Sequence, residues 1–595
     1  MSYIAPVKDM LFNIEHMAEL AKVNALPGFE DYDIDTAQAV LEESAKLCNE
    51  VVAPLNWDGD QKPSSWKDGE VTTTPGFKEA YQQYCEGGWQ GVIHPVDFGG
   101  QGFPKLVATG CTEMLHGANL SFALCPMLTD GAIEALLTAG SDELKQTYLE
   151  KMIAGQWTGT MNLTEPQAGS DLAAVRSRAE PQGDDTYKVF GTKIFITYGE
   201  HDMAENIIHL VLARVPGAPE GVKGISLFLV PKFMVNSDGS IGSRNDVHCV
   251  SIEHKLGIKA SPTAVLQFGD HGGAIGYLVG EENRGLEYMF IMMNAARFAV
   301  GMQGIAVSER AYQKAVQYAH DRVQSRDLDG SPGPVSIIHH PDVKRMLLTI
   351  RAQTEAARSL AYVAAAHSDF AHFSPDAGER AKHQAMYDFL VPVVKGHSTE
   401  LSIDNTSLGV QVHGGMGFIE ETGAAQHYRD SRILTIYEGT TAIQANDIVG
   451  RKTIRDGGAV AKAICAQIAA TEKDLLGRGN SQMADVAKSL AEARVAFEGA
   501  IDYILESAKA KTNTKAVYAG AVPYLRLAGV VLGGWQMARA LLIAEDKMSE
   551  DPDFYKAKSI TARFYAQSVL PQAAAYSQAV VRAGGVTNEM AAELF

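Results

Sequence analysis

The spacing of apolar residues changes character twice along this chain, and that double change limits the available folds more than any single motif does. From about residue 35 to 155, apolar residues recur at three and four, as in "DIDTAQAVLEESAKLCNEVVAP" and "SDELKQTYLEKMIAG", the repeat of helices with one buried face. The second stretch opens on Ser141 with Glu143 in its first turn, which predicts a capped helix start. Between 186 and 270 the runs become short, β-branched and aromatic ("TYKVFGTKIFIT", "NIIHLVLARV", "GISLFLVPKF", "TAVLQFG"), with Gly, Pro, Asp and Asn between them. This predicts an antiparallel β-domain. Helical patterns return after "GEENRGLEYMF" and continue to about 450, interrupted by the loop-like "QSRDLDGSPGPVSIIHHPD". An Ala-rich stretch from roughly 456 to 595, punctuated by Pro523 and Pro571, reads as an added helical bundle.

The expected architecture is mostly α with a central antiparallel β-domain. Its divisions are an extension over 1–34, helical domains over 35–157 and 281–452, the β-domain over 158–280, and an additional helical domain over 453–595. A chain of 595 residues has room for this, since its length corresponds to roughly three to five domains. Its net charge of -19 repels the phosphate backbone, so no nucleic-acid partner is expected. Six cysteines without a C-x-x-C pair fit buried thiols in a reducing compartment and no zinc site. The N-terminal "MSYIAPVKDMLFNIEHMAEL" lacks the features of a secretory signal, which makes a cytoplasmic location the expectation. The most membrane-like stretch, near residue 530, is interrupted by Arg526 and Arg539. The charge-free run between them is too short to span a bilayer, so a buried helix is expected.

Three short stretches could carry chemistry, although each also has an ordinary reading. "LTEPQAGSD" (163–171) offers hydroxyls and loop amides that can bond the edge of a planar ring, but such a loop is often only a turn. "QVHGGMGF" (411–418) has glycines that permit close backbone approach to a phosphate, and a Gly-rich helix end explains them equally well. "IYEGT" (436–440) sets Glu438 behind an apolar and aromatic run. A glutamate in a loop is usually a solvated carboxylate, yet a desolvated one is a strengthened base.

The helix, β-domain, helix order and these three motifs resemble the acyl-CoA dehydrogenase family over residues 35 to about 450. The resemblance implies FAD-dependent removal of hydrogen from the α and β carbons of an acyl-CoA thioester, giving a trans-2-enoyl-CoA. By it, Leu163, Thr164 and Ser170 lie against the flavin, as do Phe195 and Thr197 of "KIFITYG" on a second strand. Asn162 stands where the family usually has a small residue. Strict alternation would set Phe195 and Thr197 on one strand face and Ile194 and Ile196 on the other.

Further implications concern the catalytic and shared sites. Glu438 is the α-proton base, with its amide helping to hold the thioester oxygen; Thr440 is near the cofactor; Ser170, Arg297 and Gly439 are at the substrate. Relatives that carry the base on an earlier helix have it where this chain has Ala296, which cannot act as one. Gln411, Gly414, Gly415 and Arg322 reach the FAD of a neighbouring subunit in the family, which implies a homodimer, while a basic position downstream is Gln426 here. No metal site is expected, and His413 reads as part of a buried turn. The implied electron acceptor is an electron-transferring flavoprotein.

Both termini and the long loop resemble one bacterial branch that acts on 3-methylthiopropanoyl-CoA in dimethylsulfoniopropionate breakdown. Met289, Met292 and Met293 could then wall the acyl pocket, although methionines at helical spacing are usually core. Rival readings are a medium- or long-chain acyl-CoA dehydrogenase, an acyl-CoA oxidase and an idle DNA-binding relative.

Overall fold

The computed structural model of the chain describes residues 3–511 and 513–595. Helix α1 (Ile34–Leu47) starts where the Asp33 carboxylate accepts the Thr36 amide at 2.9 Å. Helices α2 (Lys105–Ala118), α3 (Leu120–Ala139) and α4 (Asp142–Ile153) follow. The predicted cap is present: Ser141 Oγ accepts the Leu144 amide at 3.2 Å, satisfying one of the unpaired first-turn donors.

Eight strands form the central sheet: β1 (Trp157–Asn162), β2 (Arg178–Pro181), β3 (Thr186–Thr197), β4 (Asn206–Ala213), β5 (Ser226–Pro231), β6 (Val247–Ile252), β7 (Thr263–Phe268) and β8 (Ala274–Leu278). Their order is β6-β7-β3-β8-β5-β4-β1, with β2 also pairing β3. All pairs are antiparallel, as expected, except β1 with β4, which run parallel from Trp157↔Asn206 to Asn162↔Val211. That pair is joined through β2 and β3, and a parallel pair needs such a long crossover in place of a hairpin.

Three long helices then stack: α5 (Gly285–Asp321), α6 (Pro341–Phe373) and α7 (Ala377–His413). Close approach of α5 to α7 depends on glycine. A Cβ on Gly304 would lie 2.6 Å from the Ser398 carbonyl oxygen, so a larger residue would push the helices apart. Short helices α8 (Ala424–Ser431) and α9 (Thr441–Val449) flank the Glu438 turn. The chain ends in α10 (Ala459–Gly477), α11 (Ser481–Ala510), α12 (Ala521–Asp546), α13 (Pro552–Ser568) and α14 (Gln572–Glu589). Pro571 stands at the start of α14, whereas Pro523 is absorbed into the first turn of α12.

Three helices, α3, α5 and α12, are long and apolar enough to cross a membrane by length and composition, with 83%, 67% and 83% of their most apolar windows buried inside the protein. The stretch near 530 is the buried helix expected of it: α12 runs for 26 residues, past both Arg526 and Arg539, and packs inside the protein.

A buried charge network ties the ends of the chain to the core. Arg358 bonds Glu113 (2.8 Å), Glu309 (2.9 Å) and Asp9 (2.6 Å), and Lys558 of α13 bonds Glu355 (2.7 Å) and Asp9. Buried charges are tolerated when paired in this way.

Candidate active site

The sequence-predicted residues fall into three groups. The first lies at the β-domain entry. Thr164 O accepts the Ile194 amide at 2.9 Å, which fastens the 163–170 loop to β3 beside Phe195. Lys193, wholly buried, donates to Leu163 O at 3.0 Å and to Glu165 Oε1 at 2.8 Å. Glu165 also accepts from the amides of Arg176 (2.8 Å) and Ser177 (3.0 Å) and from the Ser177 hydroxyl (2.6 Å). Burial alone would raise its pKa, but Lys193 and these donors outweigh it and hold the carboxyl low, at about 2.

Strict alternation fails on β3. Lys193 pairs with Leu266 and Ile196 with Ala264, so Ile194 and Phe195 together oppose Val265 in a β-bulge. Phe195 takes a left-handed φ of 59° and is 58% exposed. A large ring held out by an unfavourable backbone conformation has found no partner within its own chain, and it suits a planar ligand. Leu163, Thr164 and Thr197 are half-buried and Ser170 is exposed on this side, while Asn162 is buried and bonds Thr160 at 2.8 Å. The Asn162 departure therefore faces the protein interior.

The second group surrounds Glu438, which adopts a left-handed φ of 56° followed by Gly439 at 85°. Only glycine fits the second position, because a Cβ there would also lie 2.7 Å from Gln444 Nε2. Two side chains that sequence reasoning missed hold this turn. Lys395 of α7, 0% exposed, donates to Leu434 O (2.9 Å) and Gly439 O (2.7 Å). Gln444 Nε2 donates to Glu438 O and Gly439 O, both at 3.3 Å. A lone Lys in the apolar run "FLVPVVKG" was the available signal for the first. Thr440 Oγ1 accepts the Ile443 amide at 3.3 Å, so its predicted cofactor role has to share a hydroxyl that caps α9.

The Glu438 carboxylate makes no hydrogen bond or salt bridge, and its amide has no acceptor, among the described residues. Desolvation pushes its pKa up to about 7 against the opposing pull of Arg297 and Lys395. Ala296 is buried and offers no competing base. Arg297 is 7% exposed, reaches Asn294 at 3.4 Å and leaves Nε unpartnered, which rules out the ordinary reading as a surface ion pair.

Arg297 and Gln444 also edge a cavity of about 720 Å³ whose walls include Ala123, Met127, Ile291 and Phe298. Of the two readings of the methionines, Met289 and Met292 take the ordinary one and are buried in the core, and none of Met289, Met292 and Met293 lines this cavity. Gly131 explains the outcome for Met292, since its missing side chain is the space that the Met292 chain fills.

The third group is Arg322, Gln411, Gly414 and Gly415, all exposed. They share one end of the α5/α7 pair, where Tyr318 packs on His413 with ring centroids 4.4 Å apart. Nothing lies within 4 Å of a Cβ built on Gly414 or Gly415. His413 is buried and its Nδ1 bonds Gly409 O at 2.7 Å, the buried-turn role expected of it. Gln426 is buried too, donating to Asn56 O at 2.9 Å. Neighbouring Arg429 and Asp430 join the domains: Arg429 grips Asp60 (2.8 Å), and Asp430 accepts the Ile258 amide (2.5 Å).

The comparisons with known proteins identify the family. Models of the acyl-CoA dehydrogenase N-terminal, middle and C-terminal domains match residues 35–156, 160–271 and 283–453, and an acetyl-CoA dehydrogenase C-terminal-like model matches 462–591. A 3-methylmercaptopropionyl-CoA dehydrogenase of Ruegeria pomeroyi is 52% identical over 587 residues, covering 98% of this chain and 99% of the relative. The chain belongs to the acyl-CoA dehydrogenase family.

Two further similarities extend over nearly the whole of this acyl-CoA dehydrogenase. A butyryl-CoA dehydrogenase of Syntrophomonas wolfei is 36% identical over 594 residues, covering 96% of this chain and 95% of the relative. The structure of an acyl-CoA dehydrogenase from Bacillus anthracis complexed with FAD superposes with a TM-score of 0.70 at 22% identity, covering 96% of this chain and 91% of that one, and shows the shared fold. This acyl-CoA dehydrogenase is an FAD-dependent oxidoreductase acting on acyl-CoA thioesters. Its own surface fits the cofactor, with an unpartnered aromatic ring at Phe195, a loop of hydroxyls beside it and an open glycine turn elsewhere.

Proposed function

We propose that Glu438 takes the α proton of a 3-methylthiopropanoyl-CoA or similarly short thioester, and that the observation carrying this reading is its half-buried carboxylate, left without a protein partner on a turn held by Lys395 and Gln444. FAD, when bound, supplies the acceptor for the β hydride. Glu438 enters as the carboxylate and leaves as the neutral acid, the form its surroundings favour, and its unpaired amide is a donor for charge developing on the thioester oxygen. Arg297 and Gly439 line the substrate side. Leu163, Thr164, Ser170, Phe195, Thr197 and Thr440 receive the cofactor within the subunit.

Arg322, Gln411, Gly414 and Gly415 serve the cofactor of a second subunit, so the working assembly is a homodimer. Their joint exposure without partners supports that reading, as do Met416 and Phe418 beside them, 48% and 87% exposed. An electron-transferring flavoprotein is the acceptor and the compartment is cytoplasmic. The division at 34, 157, 280 and 452 is the domain organisation we adopt.

The substrate reading leans on the Ruegeria pomeroyi relative, a 3-methylmercaptopropionyl-CoA dehydrogenase. A reading as a dehydrogenase of unsubstituted acyl chains is favoured by the Syntrophomonas wolfei relative, a butyryl-CoA dehydrogenase. Comparing kcat/KM for 3-methylthiopropanoyl-CoA with unsubstituted C4 to C16 esters separates the two. Overlapping activity on C4 and C5 esters is expected, because an apolar pocket discriminates by about 1 to 3 kcal/mol per methylene. A tenfold or greater preference for a long-chain ester would overturn the substrate and leave the reaction intact.

A further inference from the structure

Asp246, His248 and His271 converge on the outer edge of the β-domain, and they are the only group of this kind among the described residues. Asp246 immediately precedes β6 and His248 is its second residue, so the two-residue spacing sets both side chains on one face. His271 comes from the β7–β8 loop "GDHGG", in which Gly269, Gly272 and Gly273 all take positive φ and turn the chain back across Asp246.

The carboxylate is fixed before any ligand arrives. Asn245, 4% exposed, uses its Oδ1 to accept the Asp246 (2.9 Å) and Ile275 (2.9 Å) amides and its Nδ2 to reach Pro231 O (2.9 Å) and Ile275 O (2.8 Å). Asp246 O accepts the Gly269 amide at 2.9 Å. Asp246 Oδ2 accepts the amides of His271 (2.8 Å) and Gly273 (3.0 Å). That leaves Oδ1 facing His271 Nδ1 at 3.2 Å and His248 Nε2 at 3.4 Å.

From this geometry we infer that Asp246, His248 and His271 form a binding site for one divalent transition-metal ion, with Zn2+ as its representative. Ligand atoms about 2.0 to 2.1 Å from a tetrahedral ion stand roughly 3.3 Å apart, and the two Asp–His separations match that edge. All three ligand atoms lie within 4.8 Å of one another, and the exposed His271 side chain has room to turn through the remaining distance while its backbone stays tied to Asp246. Two imidazoles with one carboxylate select Zn2+, Ni2+ or Cu2+ over Mg2+ and Ca2+, which prefer oxygen. The bonds that orient Asp246 are the outer shell that tunes such a ligand. Loading would clamp the 269–273 loop onto the start of β6. That is the opposite end of the sheet from Phe195 and Thr197, because β7 pairs its Thr263 with Thr197 and its Phe268 with Gly191.

The test is calorimetric titration of Zn2+ into tag-free, FAD-loaded protein, with excess Mg2+ present, alongside His271→Ala, His248→Ala and Asp246→Asn. The site requires one equivalent per protomer in the parent, affinity at least about tenfold weaker in each variant, and a thermal shift on adding Zn2+ that His271→Ala does not show. Parent and His271→Ala isotherms that coincide, or a parent that takes up no Zn2+ in the presence of Mg2+, would overturn it. His271 is exposed, so its variant will fold, and metal-free turnover is expected to be unchanged in it.

Discussion

Two glutamates stand in the two most informative stretches of this sequence, and the protein treats them in opposite ways. Glu165 in "LTEPQAGSD" is buried among donors: Lys193, the Ser177 hydroxyl and two backbone amides. Glu438 in "IYEGT" is held by its backbone alone, while its carboxylate touches no donor among the described residues. One pKa falls to about 2 and the other rises to about 7. Burial acts in the same direction on both, so the outcome is decided by the Lys193 ion pair and the hydrogen bonds that Glu165 has and Glu438 lacks. A saturated carboxylate is an anchor, and an unsatisfied one on a held turn is what the proposed base requires. Holding Glu438 at positive φ without a side-chain bond to the protein requires the restraint to come from outside the residue, which is the work of Lys395 and Gln444.

The largest effect should come from removing the base. Glu438→Gln keeps the size and polarity of the side chain, so FAD content should be unchanged while turnover drops by about 10²- to 10⁴-fold. Near-normal turnover with a full flavin spectrum would assign the proton to another group.

Breaking the anchor should act on stability. Lys193→Met strands a buried carboxylate, at a cost of about 3 to 5 kcal/mol in denaturant unfolding, together with weaker FAD retention. Pairing it with Glu165→Met should recover much of that loss. Because the folded-state pKa of Glu165 is depressed, its contribution is fully present above its ordinary value near 4.5 and disappears as pH falls through about 2. An unchanged midpoint in Lys193→Met would show that the pair carries no weight.

A smaller and more diagnostic effect is expected from Lys395→Met. Losing its two hydrogen bonds to the loop should cost about 1 to 3 kcal/mol. Losing its charge should move the acid limb of the rate profile to higher pH, because Lys395 pulls the Glu438 pKa down. Lys395→Arg should restore the limb more fully than the rate. A stability loss with an unmoved limb would reduce Lys395 to a packing residue.

Much of this was legible in the sequence for a physical reason. Periodicity reports which face is buried, so the two helical regions, the sheet between them and the Ser141 cap follow from it. Side chains whose partners are distant in sequence could not be read this way. Lys395 reaches a turn 39 and 44 residues away, and Lys193 a loop 28 residues away. The bulge at Phe195 was missed because alternation assumes an unbroken ladder. Nor did the sequence show what the additional C-terminal domain contributes to the site. Yet Arg526 of α12 holds Glu400 at 2.6 Å, and Glu400 in turn accepts the Thr441 hydroxyl at 2.6 Å, two residues beyond Gly439.

The central claim is that an unsatisfied carboxylate at Glu438 is the base, and the pH dependence of kcat/KM tests it most directly because it reports the free enzyme. A base must be deprotonated to act. The account therefore predicts a rate that climbs with pH, with its midpoint near 7, and levels off above, the limb being absent from the residual activity of Glu438→Gln. A profile already flat from pH 5 upward, or the same limb in both proteins, would contradict it.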